Sequence, residues 1–309
     1  MLAAYNQRLA EAAGPLLPYL DDPAVLEVRV TSGGRVFVVW FGRGKEAKGL
    51  CPPAVLDRFL SLIAHQVGAE WRAEHPRLHA ALPAVGLRIQ AGREPISPGP
   101  WMVVRKHPHH VFPLADFVAK GILTAAQADR LEEYVVRLRH TVLIAGAVGS
   151  GKTTLLNSLV HLLRASEERI LVCEDDPEVH CEADEVEFLH TSEEPLVTMR
   201  DLVKDVLRMS PDRLIVGEVR DGAALDMLKA FQTGTPGLGT VHAESALGVL
   251  QRLEQLVLEV SVDPQQSLIG AAIDVIVFME KFGRSWRLSQ MLAVEGWDRQ
   301  AYVTRSVMP

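Results

Sequence analysis

VLIAGAVGSGKTTLLN, Val142 to Asn157, is the stretch on which the reading of this chain turns. An apolar run, Val142 to Ala145, gives way to a glycine-rich turn, then to Lys152, Thr153 and Thr154, then to an apolar helical pattern. Gly146 to Thr153 satisfies G-x-x-x-x-G-K-[ST] at every fixed position. In that arrangement a buried strand ends in a loop whose backbone N–H groups converge on phosphate oxygens. Gly146, Gly149 and Gly151 permit the positive φ values and close backbone approach that side chains block. Lys152 can set a charge between β- and γ-phosphates, Thr153 can offer a hydroxyl to Mg²⁺, and the helix that begins near Lys152 adds its positive dipole end. Expected nucleotide contacts therefore run from Gly146 through Ala147, Val148, Gly149, Ser150, Gly151, Lys152 and Thr153 to Thr154. Ordinary residue frequencies would produce such a match in roughly 1 in 100 chains of this length. The strand before it and the helix after it supply the context the motif requires.

The rest of the composition says what surrounds this loop. A chain of 309 residues, 48% hydrophobic and 23% charged, has material for one large or two ordinary globular domains. No apolar run approaches the ~18 residues of a membrane span, and no signal-peptide core opens the sequence, which predicts a cytoplasmic location. Cys51, Cys173 and Cys181 lack C-x-x-C spacing, so neither a disulfide framework nor a zinc site is implied. The net charge of −7 is uneven: residues 1–120 hold 14 Lys/Arg against 10 Asp/Glu, and residues 121–309 hold 18 against 29. That distribution argues against strong sequence-independent nucleic-acid binding.

Residues 1–106 read as a small α+β domain. A helix over 5–20 precedes a hairpin, Val25–Thr31 and Arg35–Phe41, turning at Ser32-Gly33-Gly34. A helix follows Pro52 and Pro53, and further strands lie around Leu87–Gln90 and Trp101–Arg105. Residues 107–122, opened by KHPHHVFPL, read as the inter-domain connection. His107, His109 and His110 invite a metal reading, but without acidic or cysteine partners at ligand spacing they fit a solvated linker better. Residues 123–309 then alternate strand and helix. Thr124 and Thr198 are placed to cap helices, and strands fall at Ile170–Cys173, Leu214–Val216 and Thr240–Val241, with a closing antiparallel pair at Val275–Glu280 and Trp286–Val294. The alternation predicts an α/β fold, a mainly parallel sheet covered on both faces.

Ligands of open α/β sheets lie beyond the carboxyl ends of the strands. Three strand ends carry chemistry: Glu174, Glu218 and His242. Glu218 follows a fully apolar strand, and as Glu rather than Asp its reach favours a role on water or in the outer coordination of a metal. Glu174 could orient water or hold metal-bound water, and His242 could sense a γ-phosphate. Lys152, Glu174, Glu218 and His242 are thus the catalytic candidates, with Thr153, Glu174 and Glu218 for Mg²⁺. Arg200, Arg208, Arg213 and Arg220 surround the strand of Glu218, and a phosphoryl-transfer site needs an added cation. One or two of them are expected to touch phosphate, Arg208 and Arg220 being the choices.

Four segments, GAVGSGKTT, VCEDDPE, RMSPDRLIVGEVR and GLGTVHAES, together resemble the type II/IV secretion traffic ATPases, where they correspond to Walker A, Asp box, Walker B and His box. The stretch TMRDLVKDVLRMSPDRLIVGEVRDGAALDMLKAF and the later LIGAAIDVIVFMEK look most like the TrbB-like conjugal transfer ATPases. The resemblance covers 115–300 well and the front of the chain more loosely. It implies a RecA-like P-loop ATPase domain, ATP and Mg²⁺ as ligands, and a homo-hexameric ring with nucleotide between the two domains. It further implies membrane-embedded secretion or conjugation channel proteins as partners and peripheral contact with the cytoplasmic face of the inner membrane. Arg88 and Arg105 match N-terminal-domain arginines thought to reach nucleotide in that family. Two departures stand near His242: Thr235 replaces a usual His, and His242-Ala243-Glu244-Ser245 replaces H-A-N-S. A type IV pilus retraction or assembly motor and a RecA-like DNA translocase are the alternatives. The absence of a tetracysteine cluster disfavours assembly motors, the 201–220 stretch disfavours retraction motors, and no acceptor-binding signature supports a small-molecule kinase.

Overall fold

Two sheets organise the chain, one in each of two units, Met1–His110 and Val111–Pro309. The computed structural model describes all residues except Met1, 107–110, 193–194 and 284.

In the first unit, β1 (Val25–Val30), β2 (Arg35–Trp40), β3 (Gly44–Leu50), β4 (Arg77–Leu82), β5 (Leu87–Gly92) and β6 (Trp101–Lys106) form an antiparallel sheet in the order β3-β2-β1-β6-β5-β4. Strand alternation gives this sheet one covered face. Val28, Val36, Val38, Ile89, Met102 and Val104 pack with Leu56, Phe59, Leu60 and Ile63 of the helix Pro53–Gln66. The opposite face carries charge: Arg88 faces Arg105 across β5 and β6, and Arg105 lies 3.3 Å from Glu27 of β1. Strands β3 and β4 escape the sequence reading. Both are sheet edges; β3 (GKEAKGL) has almost no apolar residues, and β4 turns only Leu78, Ala80 and Leu82 inward. Charged, weakly apolar edges protect a sheet from unwanted pairing and by the same token leave no hydrophobic signal.

The second unit holds β7 (Val142–Gly146), β8 (Ile170–Glu174), β9 (Val186–His190), β10 (Arg213–Val219), β11 (Gly237–Val241), β12 (Val275–Phe282), β13 (Ser285–Trp297) and β14 (Tyr302–Ser306). Their order is β14-β13-β12-β7-β11-β10-β8-β9. The run from β12 to β9 is parallel, and β13 and β14 extend it antiparallel. Every residue of β7, β8 and β11 is buried, as expected of parallel strands sandwiched between helices. The α/β class is as expected from the sequence. Thr124 and Thr198 each close a capping box, with Gln127 and Asp201 respectively.

Differences from the sequence reading have local causes. Residues 111–122 are no free connection: Leu114–Ala119 is a helix, Phe117 is fully buried, and the Ser158 hydroxyl donates to the Phe112 carbonyl. The three histidines of the expected linker lie outside the described residues. Strand β11 begins at Gly237, ahead of the start expected at Thr240, and a side chain at Gly237 would meet the Phe231 ring at 2.0 Å. Its glycines mark close packing and not a turn. The edge strands β9 and β14, and the short helix Gln266–Ala272, are additions to the reading.

Candidate functional site

Loop 146–153 leaves the carboxyl end of β7 and enters the helix Lys152–His161 through Gly151, which is left-handed at φ 89°. Gly146 is irreplaceable for space: a Cβ there would stand 2.2 Å from the Met279 carbonyl and 2.5 Å from the Ser150 hydroxyl. The first turn of a helix has no internal acceptors for its N–H groups, and here those belong to Lys152, Thr153 and Thr154. Two further donors turn onto one loop carbonyl, Ala147 O, which lies 3.2 Å from the Ser150 amide and 3.2 Å from Lys152 Nζ. The Ser150 hydroxyl is buried with no hydrogen-bond partner among the described residues. A loop with convergent N–H donors, an orphaned hydroxyl and no space for side chains fits a polyphosphate.

Lys152 is itself buried, and burial pulls its pKa down to about 8, against the opposing pull of Glu218 and Glu178. Its Nζ is 3.2 Å from Nδ1 of His242, which stands just past β11. The same Nδ1 is 3.2 Å from the Gly146 carbonyl, and Nε2 of the ring is 2.7 Å from Oε1 of Glu218. Arg220 completes the row, 3.9 Å from Glu218 Oε2 and in direct contact with Asp175. The structure thus gathers Lys152, His242, Glu218, Arg220 and Asp175 into one continuous polar line along the carboxyl edge. Parallel strand pairing does this: β7, β11 and β10 are neighbours, so their ends coincide.

Glu174 reaches the same edge but turns inward. Its Oε1 accepts from the amides of Glu178, 2.9 Å, and Val179, 2.8 Å, while Oε2 has no hydrogen bond among the described residues and lies 3.8 Å from His190. Burial lifts its pKa to about 7 despite those two amide bonds. A side chain at Gly217 would press on it at 3.1 Å, so Glu174 stands directly behind the strand end that bears Glu218.

The expected arginine cluster divides. Only Arg220 stands at this edge. Arg213 opens β10, about 17 Å of strand from Glu218 by the usual rise, and is fully buried. Its Nε lies 2.5 Å from Glu168 and its Nη2 donates to the Val135 carbonyl at 3.1 Å, so its place is structural. Arg200 is committed to Asp226 at 2.6 Å, tying two helices together. Arg208 is exposed near the amino edge, 3.8 Å from Asp205, and is not brought to the loop of its own chain. Thr235 precedes β11 at that same far edge, away from His242, and Glu244 is exposed. Arg88 and Arg105 belong to the first unit's sheet as described above.

Sequence reasoning missed three supports. Asn157 donates to the Glu178 carbonyl at 2.9 Å and accepts from the His180 amide at 2.8 Å, stitching the loop helix to the segment that also holds Glu174. Thr240 ties β11 to the Gly217 carbonyl at 2.6 Å. Trp286 of β13 donates its indole N–H to the Gly149 carbonyl at 3.0 Å. The buried asparagine in an apolar helical stripe was a usable signal; the other two were not visible without the fold.

The family model described as type II/IV secretion system protein matches residues 69–285, which include the loop and all three strand-end candidates. The conjugal transfer protein TrbB of Rhizobium radiobacter is 38% identical over 288 residues, covering 92% of this chain and 88% of that protein. The type IV secretion system protein PtlH of Bordetella pertussis is 27% identical, covering 92% of this chain and 93% of that protein. Among solved structures, the ATPase DotB of Legionella pneumophila superposes with a TM-score of 0.67 at 19% identity, covering 94% of this chain and 80% of that one, a likeness of fold alone. The chain belongs to the type II/IV secretion system protein family.

Proposed function

We propose that this chain is an ATP-hydrolysing motor of a type IV secretion or conjugal transfer system, acting as a ring of six copies. The observation that carries the reading is the bridge made by His242, 3.2 Å from Lys152 and 2.7 Å from Glu218, at the mouth of the phosphate loop. Phosphoryl transfer to water needs positioning and charge stabilisation more than covalent help. In this reading the loop amides and Lys152 hold the phosphates, and Glu218 accepts a hydrogen bond from the attacking water and orients it. His242 fixes the Glu218 carboxylate and couples it to Lys152. Glu174 supports Glu218 from behind, and Arg220 supplies guanidinium charge. Mg²⁺, taken by Thr153 with Glu218 nearby, would neutralise charge on the transferred phosphoryl group. Among the described residues no cluster of His, Cys, Asp or Glu could hold a metal unaided, which suits a cation that shares its coordination with phosphate.

Lys152 and His242 also supply the route from chemistry to motion. Both rest on loop carbonyls, Ala147 and Gly146, as well as on each other. Phosphate draws them off those carbonyls and its departure returns them, which moves the end of β11 against the loop. In this reading its partners are the proteins of a membrane-embedded secretion or conjugation channel, and it works on the cytoplasmic face of the inner membrane. No helix among the described residues is long and apolar enough to cross a membrane.

The test is phosphate release from ATP by the full chain and by Lys152→Ala. The wild type hydrolyses ATP and the variant loses at least about 100-fold. Equal rates in the two proteins contradict the assignment.

A further inference from the structure

The hairpin of β12 and β13 forms a floor beneath the phosphate loop, and its contacts go beyond covering a sheet edge. The Met279 carbonyl lies where a Cβ of Gly146 would be, at 2.2 Å, and Lys281 Nζ stands 3.7 Å from the Cβ position of Gly149. The Trp286 ring fills the Cβ position of Gly151 at 2.8 Å. Three successive glycines of the loop are therefore seated on three residues of one hairpin. Trp286 adds a side-chain bond, its Nε1–H donating to the Gly149 carbonyl at 3.0 Å, and the residue is 9% exposed.

That bond fixes more than one oxygen. In a trans peptide the C=O of one residue and the N–H of the next point in opposite directions. Holding the Gly149 carbonyl outward onto the indole keeps the Ser150 N–H aimed inward, where it now meets Ala147 O at 3.2 Å. Gly149, on one side of this peptide, has a positive φ of 69°, and glycine peptides turn readily between wells. Without the indole the carbonyl loses its anchor, and the Ser150 N–H bond to Ala147 O is left to resist rotation of the carbonyl toward an incoming anion.

We propose that Trp286 is a positioning residue for the phosphate loop, setting nucleotide affinity by anchoring the Gly149–Ser150 peptide with its donor inward. The inference rests on the nucleotide-site reading above. It also makes the hairpin a route by which forces on β12 and β13 change nucleotide binding.

The test uses the full chain and ADP. Trp286→Phe keeps an aromatic ring over Gly151 and removes only the N–H donor. Its dissociation constant for ADP rises about three- to tenfold, the range expected for one hydrogen bond, while kcat for ATP changes less than about twofold. Trp286→His, which restores a ring N–H, recovers part of the affinity. ADP also alters the tryptophan emission of the wild type, and that change is absent from the Phe variant. Unchanged ADP affinity in Trp286→Phe overturns the inference, as does a loss of kcat with affinity intact. If the Phe variant does not fold, the Trp286 indole N–H resonance of the wild-type chain decides: a shift on adding ADP supports the anchor, and no shift overturns it. Wild-type protein that binds no ADP removes the nucleotide-site reading itself, an outcome distinct from equal binding by both proteins.

Discussion

The two ends of the parallel sheet carry similar side chains in opposite circumstances. At the amino edge Arg213 is buried, but two of its three guanidinium nitrogens bond to Glu168 and the Val135 carbonyl, and Arg139 adds a second cation 3.3 Å from Glu168. Charge there is matched by charge, with Arg213 itself fully buried. At the carboxyl edge Lys152 is depressed to about 8, Glu174 is raised to about 7, and Ser150 and Glu174 each keep a buried oxygen without a hydrogen bond among the described residues. At the carboxyl edge perturbed titration and unmet hydrogen bonds coincide with a loop that a ligand would complete, whereas at the amino edge Arg213 is held by an ion pair and a carbonyl. An arginine near a catalytic strand in sequence is thus no guide to function until the fold shows which end it occupies.

If that contrast is right, damage at the two ends reads out differently. Arg213→Met leaves Glu168 mostly buried with only Arg139 as partner, and removing one member of a buried pair costs about 3 kcal/mol or more. Chemical denaturation of the second unit's transition reports this loss, with ADP affinity of the folded protein unchanged. A variant of wild-type stability breaks the comparison at its amino end.

At the other end the sign reverses. Burial raises Glu174 from 4.5 to about 7, so the folded chain keeps a proton that the unfolded chain has released. The resulting stabilisation is present below about 4.5 and is lost as pH rises through the window up to 7. Above that window the folded protein carries a buried carboxylate, a burden of at most about 3 kcal/mol. Glu174→Gln is therefore expected to raise the melting temperature at about pH 8 and to gain far less at about pH 5. Equal gains at both pH values would show that Glu174 is not held against its charge.

Much of this was legible in the sequence. Fully apolar strands placed β7, β8 and β10, and the strand-end rule picked out Glu218 and His242, which meet in the fold. What stayed hidden has physical reasons. Edge strands β3, β9 and β14 present polar or mixed faces, so their patterns resemble loops. Glycines of β11 resemble a turn because periodicity does not reveal that Phe231 presses on them. Arg213 and Arg220 flank one strand, and only its direction shows that one faces the loop and the other lies buried far from it. Trp286 is 137 residues from its partner Gly149, and nothing local in either segment announces a contact between them.

The most direct test of the central claim, that the carboxyl edge is a hydrolytic site and not only a phosphate cradle, is the fate of ATP bound to Glu218→Gln. The account predicts that this variant retains ATP with near wild-type affinity and releases phosphate about 100-fold more slowly. Phosphate release at the wild-type rate would take Glu218 out of the chemistry and contradict the account.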